Sequence, residues 1–148
     1  MIKKDKDWKK VFKKKDDSSE ESSKGIYHEG NKLNNLTGKE WLPSTKSYWM
    51  QSGLGANHEH TKIEKEHPAP YGFKDISKLV LFFTKEGDIV LDPFSGVAST
   101  SKACAINGRK SVGIELTKKW VELSHERLKK EVPNSDGQEI VQGDSRKV

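Results

Sequence analysis

Two carboxylates stand at the tips of two apolar runs. Asp92 closes Ile89-Val90-Leu91, and Glu115 closes Val112-Gly113-Ile114. Between them lie a small-residue turn, Phe94-Ser95-Gly96-Val97-Ala98, and a segment of helical character that stops at Gly108. The residue types suggest a definite chemistry. Gly96 and Ala98 let the backbone approach a ligand, and a helix that starts just after them offers N–H groups with no partner of their own. Glu115 can accept hydrogen bonds from both hydroxyls of a ribose. Strand, glycine turn, helix, strand, acid is the unit that binds a nucleotide-like ligand at the carboxyl end of a parallel sheet. Gly96-Val97-Ala98 lacks the later glycine of the dinucleotide fingerprint, which makes a nicotinamide dehydrogenase a weak fit.

The elements that must position these residues follow from periodicity. Asp88 to Asp92 reads as a first strand, too apolar for the surface, and Ser111 to Glu115 as a second. A helix is expected from Val97 to Asn107, with Ala103, Cys104, Ala105 and Ile106 on its packing side. Ahead of the first strand, Ile76, Leu79, Val80 and Phe83 form an i, i+3, i+4, i+7 stripe that predicts a half-buried helix from Lys74 to Thr84, with Asp75 as its cap. After the second strand, Thr117 is placed to cap a further helix whose apolar side is Trp120, Val121, Leu123, Ser124 and Leu128. Pro133 and the Asn134-Ser135-Asp136-Gly137 turn break that helix. Glu139 to Gln142 makes a short third strand, and Gly143-Asp144 ends it on another acid.

Composition bounds the partners. The sequence has 148 residues, a third of them charged, with a net charge of +5. That excess is compatible with a polyanion but does not establish one. The single cysteine, Cys104, forms no internal disulfide and fits a reducing compartment. It reads as a small buried apolar residue, not a nucleophile. No stretch has the length or apolar content of a signal peptide or a membrane span, so the expected location is the cytoplasm. Residues 1–30 read as a flexible charged tail and 31–148 as the domain proper. Trp41 and Trp49 are expected to pack the segment from Asn31 to Met50 onto that domain. His58-Glu59-His60 has the His-x-His form of a zinc ligand pair, but no second pair stands at a useful spacing, so no metal site is assigned.

Wording narrows the ligand. The sequence carries His67-Pro68-Ala69-Pro70-Tyr71, then Asp92-Pro93-Phe94-Ser95-Gly96-Val97-Ala98-Ser99-Thr100, then Gly108-Arg109 and Gly113-Ile114-Glu115-Leu116. In this order and spacing, over residues 31–145, it resembles the amino-group DNA methyltransferases, which act on adenine N6 or cytosine N4. The resemblance implies a partial Rossmann-like α/β fold, a parallel sheet flanked by helices, with S-adenosyl-L-methionine as cofactor and DNA as partner. It implies that Asp92 meets the ammonium group, Ser99 and Thr100 the carboxylate, Glu115 the ribose diol and Asp144 the adenine amino group. Phe94 would form an apolar wall. Pro93, Gly96 and Leu116 would lie beside the cofactor, and His67 and Pro68 would open the element that closes over its methionine end.

Two departures from the family pattern carry consequences. Ala98 stands where glycine is usual, and alanine in a left-handed conformation costs about 1–2 kcal/mol. If the turn requires positive φ there, cofactor affinity should suffer. The second departure is a missing pair: the family holds its target nitrogen with a Pro-Pro-Tyr/Trp loop, and this sequence contains no Pro-Pro. No catalytic residue is therefore assigned. The resemblance places that loop either shortly after Gly143-Asp144 or far upstream. The expectation is a truncated, split or fragmentary enzyme that needs a second polypeptide or segment. The rival reading is an inactive cofactor-binding or DNA-binding partner subunit.

Overall fold

The computed structural model describes residues 25–51, 63, 65–132 and 136–147. Within them a short helix α1 (Gly38–Trp41) continues into a 3-10 turn (Leu42–Thr45), and three longer helices alternate with strands: α2 (Phe73–Phe83), β1 (Ile89–Asp92), α3 (Ser99–Ile106), β2 (Lys110–Glu115), α4 (Lys118–Glu131) and β3 (Gln138–Gln142). Residues 1–24 of the expected tail and the His58-Glu59-His60 motif lie outside the described residues, while the tail's last six, 25–30, are described and include Tyr27, whose hydroxyl accepts from Lys85 Nζ at 3.3 Å.

The three strands form one parallel sheet in the order β1-β2-β3, with Asp92 opposite Gly113 and Glu115 opposite Gln142. Successive right-handed crossovers in one direction carry α3 and α4 to the same face of such a sheet. That face holds the core. Val90 of β1 packs with Val80 of α2 and with Ala103 and Cys104 of α3. Ile140 of β3 packs with Ala98, Val121 and Leu128. Because side chains alternate along a strand, Ile89 and Leu91 point the other way, and they are 68% and 63% exposed. The apolarity of β1 indicates a strand covered on both faces; among the described residues nothing covers the second one.

Local departures from expectation have local causes. Helix α2 is capped by the backbone of Gly72, and Asp75 instead sits in its first turn, buried, 2.9 Å from Lys78 Nζ. Its buried face runs through Phe73, Ser77 and Val80, so that Leu79 and Phe83 of the predicted stripe are exposed. The small residues of α3 explain this. They admit Ser77 close enough for its hydroxyl to accept a hydrogen bond from Asn107 Nδ2 at 3.1 Å. Helix α3 ends as its sequence suggests, with Gly108 at φ +75° and the Arg109 N–H donating back to the Cys104 carbonyl at 2.8 Å.

The segment before α2 is docked by polar contacts that composition did not suggest. Asn34 is fully buried: its Nδ2 donates to the Phe82 carbonyl at 2.6 Å, and its Oδ1 accepts from the Leu36 N–H at 3.0 Å. Asn35 Oδ1 accepts from the Glu86 N–H at 2.8 Å. Trp41 stacks on Phe82 with ring centroids 6.1 Å apart, a packing role for one of the two tryptophans.

Candidate functional site

The turn after β1 is held from several sides. Asp92 Oδ1 accepts the Phe94 N–H at 3.0 Å, closing an Asx turn. The Ser95 N–H donates to the Ile114 carbonyl and the Ala98 N–H to the Ser95 carbonyl, each at 2.9 Å. Gly96 and Ala98 both adopt left-handed conformations, at φ +54° and +59°. Ala98 is the one non-glycine residue with positive φ among the described residues, and its methyl is fully buried. The condition attached to the alanine departure is therefore met. Strain of this kind survives only where the surroundings over-determine the backbone.

Glu115 ties the end of β2 to the turn. Its Oε2 accepts the Gly96 N–H at 2.9 Å, and its Oε1 accepts the Thr117 N–H at 2.8 Å. Each carboxylate oxygen retains a second lone pair, and the side chain is only half-buried. Gly113, at the centre of β2, makes room for the turn. A Cβ there would lie 2.5 Å from Ser95 Oγ and 2.9 Å from Ile140 Cδ1. The Gly143 N–H donates to the Glu115 carbonyl at 3.0 Å, so the ends of β2 and β3 are adjacent.

The His67–Tyr71 stretch lies over this turn. His67 packs edge-on against Trp120 at 4.9 Å between centroids. Its Nε2 would be 3.4 Å from a Cβ on Gly96, ordinary contact distance. The Tyr71 hydroxyl lies 3.4 Å from both Asp92 Oδ2, to which it donates, and Thr100 Oγ1. Burial pushes the Tyr71 hydroxyl above the usual tyrosine range; the hydrogen bond with Thr100 opposes this and the Asp92 charge adds to it. The group therefore stays protonated and available as a donor.

The structure thus brings His67, Asp92, Gly96, Thr100 and Glu115 into one hydrogen-bonded and packed cluster at the strand ends. Phe94 and Leu116 flank it with exposed side chains, and Pro68 and Pro93 lie beside it in the chain. Two residues of the predicted set have other partners. Ser99 is buried, and its Oγ accepts a hydrogen bond from Arg127 Nη1 at 3.0 Å, on the interior side of the turn. Asp144 is engaged by its own neighbour: Oδ1 and Oδ2 accept from Arg146 Nε at 2.9 Å and Nη2 at 2.7 Å. Those bonds hold its carboxyl below the usual range. Tyr71 was legible only as part of a motif, with no role of its own. Ser124 and Arg127 are both fully buried beneath the turn. Ser124 was legible as part of the packing side of its helix but not as a hydrogen-bond donor, and Arg127 had no legible role, because a charged residue on a helix reads as its solvent face.

A parallel sheet whose strand-end acids close on a glycine turn is the α/β arrangement that in other proteins receives nucleotides at the strand ends. Comparison with known proteins makes the class specific. The family model for DNA methylase, of the N6/N4 methyltransferase group, matches residues 1–126. The chain belongs to that DNA methylase family. It is 43% identical over 68 residues to the orphan methyltransferase M.BamHII of Bacillus amyloliquefaciens, covering 46% of this chain and 26% of that protein. It is 30% identical over 102 residues to the type II methyltransferase M.BglII of Bacillus subtilis, covering 69% and 28%. The chain thus spans little more than a quarter of the length of these relatives. Among solved structures, it is similar to a DNA modification methylase of Thermus thermophilus, TTHA0409, complexed with S-adenosyl-L-methionine. That likeness has 29% identity and a TM-score of 0.46, and covers 65% of this chain and 45% of that one. No helix among the described residues is long and apolar enough to cross a membrane.

Proposed function

We propose that this chain supplies the S-adenosyl-L-methionine site of an amino-group DNA methyltransferase acting on adenine N6 or cytosine N4. The observation that carries the proposal is the convergence of Asp92 and Glu115 on one glycine turn, roofed by His67 and Tyr71. The donor set suits the cofactor. Two carboxylates with spare lone pairs match an ammonium group and a ribose diol, and exposed Phe94 and Leu116 offer apolar surface to the adenosine. Thr100, oriented by the Tyr71 hydroxyl, stands at the start of α3, where the helix dipole favours a carboxylate. Asp144, adjacent to the end of β2, remains the candidate partner of the adenine amino group, reached past its pairing with Arg146.

When bound, the cofactor supplies an electrophilic methyl on a positively charged sulfur. The residues of this chain bind and orient it; the target nitrogen must be presented by groups on another segment or polypeptide, since these 148 residues contain no Pro-Pro pair. Presenting a flipped base in line with the methyl is then the main catalytic work, through proximity and orientation. The test is calorimetry on the folded 148-residue chain. S-adenosyl-L-methionine is expected to bind, and Asp92→Ala and Glu115→Ala are each expected to weaken it by at least tenfold, while DNA methylation by the chain alone stays at background. Absence of binding to a folded sample would overturn the proposal.

A further inference from the structure

Helix α4 grips two successive peptides of the turn from below. The single Ser124 Oγ proton is shared between the Gly96 carbonyl at 2.9 Å and the Trp120 carbonyl of its own helix at 2.7 Å, and Arg127 Nη1 donates to the Val97 carbonyl at 2.8 Å and to Ser99 Oγ at 3.0 Å. Residues three apart share a helix face, and both side chains are fully buried. The peptides are trans, so holding the Gly96 carbonyl against α4 turns the Val97 N–H to the opposite side. The Val97 carbonyl and Ser99 Oγ, both held by Arg127, also straddle Ala98, the residue whose left-handed conformation alanine itself disfavours.

The guanidinium is aimed by a buried chain of contacts. Glu131 Oε2 accepts from Arg127 Nε at 3.0 Å and from Lys102 Nζ at 2.6 Å. Lys102 Nζ in turn lies 3.8 Å from the centre of the Phe73 ring. The contacts therefore run from α2 through α3 and α4 to the turn. Burying a guanidinium is costly, and an apolar residue would serve packing better. What arginine adds is directional donors at fixed positions.

The structure assigns Arg127, assisted by Ser124, as a positioning residue: it holds the turn from Gly96 to Ser99 in its ligand-receiving shape against the backbone preference of Ala98. This rests on the reading of the turn as the cofactor site. A structural role alone would not predict that Ala98→Gly, which removes the conformational penalty, compensates for loss of the clamp.

The test compares the wild-type chain, Arg127→Lys, Ser124→Ala and Arg127→Lys/Ala98→Gly by two readouts. Hydrogen exchange at the Ala98 amide needs no ligand and reports the clamp directly. Arg127→Lys is expected to speed that exchange at least tenfold, with the Val112 and Ile114 sheet amides unchanged, and Ala98→Gly is expected to restore most of the protection. Titration with S-adenosyl-L-methionine is expected to show a tenfold loss of affinity in Arg127→Lys and its partial recovery in the double variant. Should Arg127→Lys not fold, Ser124→Ala carries the test, with an expected several-fold effect on both readouts. Unchanged Ala98 exchange in a folded variant, or a loss that Ala98→Gly leaves untouched, would overturn the assignment. A wild-type chain that binds no cofactor, with the exchange effects present in the variants, would overturn the proposed function and leave the clamp standing.

Discussion

Ala98 shows how opposing small terms decide the outcome of a substitution. Glycine there would relieve about 1–2 kcal/mol of left-handed strain. It would also give the unfolded chain more freedom, at about 0.4–1 kcal/mol, and remove a buried methyl worth about 0.8 kcal/mol. Ala98→Gly should therefore change unfolding free energy by less than about 1 kcal/mol in urea titration. Ala98→Val should cost at least about 2–3 kcal/mol, because a β-branched residue at positive φ must also force its extra carbons into a filled core. Cys104 offers a second residue-scale test. Burial pushes its thiol up to about 12. A group whose folded-state pKa is raised contributes stability at low pH and loses it as pH climbs past the unfolded value. Stability should thus begin to fall as pH rises beyond about 9, and Cys104→Ala should flatten that limb in melts recorded from about pH 8 to 11. A thiol reagent at about pH 8 should react only after denaturant is added.

At the scale of elements, β1 has one covered face and one that is bare among the described residues, and the two should respond differently. Val90→Ala removes two carbons packed against Val80, Ala103 and Cys104, and should cost about 1.5–2 kcal/mol. Leu91→Ala, on the bare face, should cost less than about 0.5 kcal/mol despite the larger side chain. Equal losses would mean that the second face is covered after all. Much of this element structure was legible beforehand. Apolar runs ending in acids located the strands, and Gly108 marked the end of α3. What periodicity could not show was which face of a strand or helix has a neighbour. Leu79 and Phe83 form half of a convincing stripe on α2, yet the helix turns Ser77 and Val80 inward because α3 presents only small side chains there. Asn34, Lys102 and Arg127 are buried for reasons of hydrogen bonding over long sequence separations, a property no local pattern encodes.

For the molecule as a whole, β1 stands at the edge of the sheet among the described residues, and Ile89, Leu91 and Phe94 are exposed there. Parallel sheets are ordinarily covered on both sides, and exposed apolar side chains on an isolated unit promote association. The chain should self-associate as its concentration rises, and Ile89→Lys should suppress this in sedimentation velocity while leaving the melting temperature within about 3 °C. The turn from Asp92 to Thr100 was legible because its residues stand in one short stretch, whereas Arg127 beneath it comes from α4, about thirty residues further on. The glycine at the middle of β2 draws the two together. Because Ser95 and Ile140 both stand within 3 Å of where a Cβ would sit, a single added methyl at position 113 would be transmitted into the turn and into the neighbouring strand. The scaffold and its ligand cradle are therefore not separable parts: a change too small to register on most surfaces would unseat both at once.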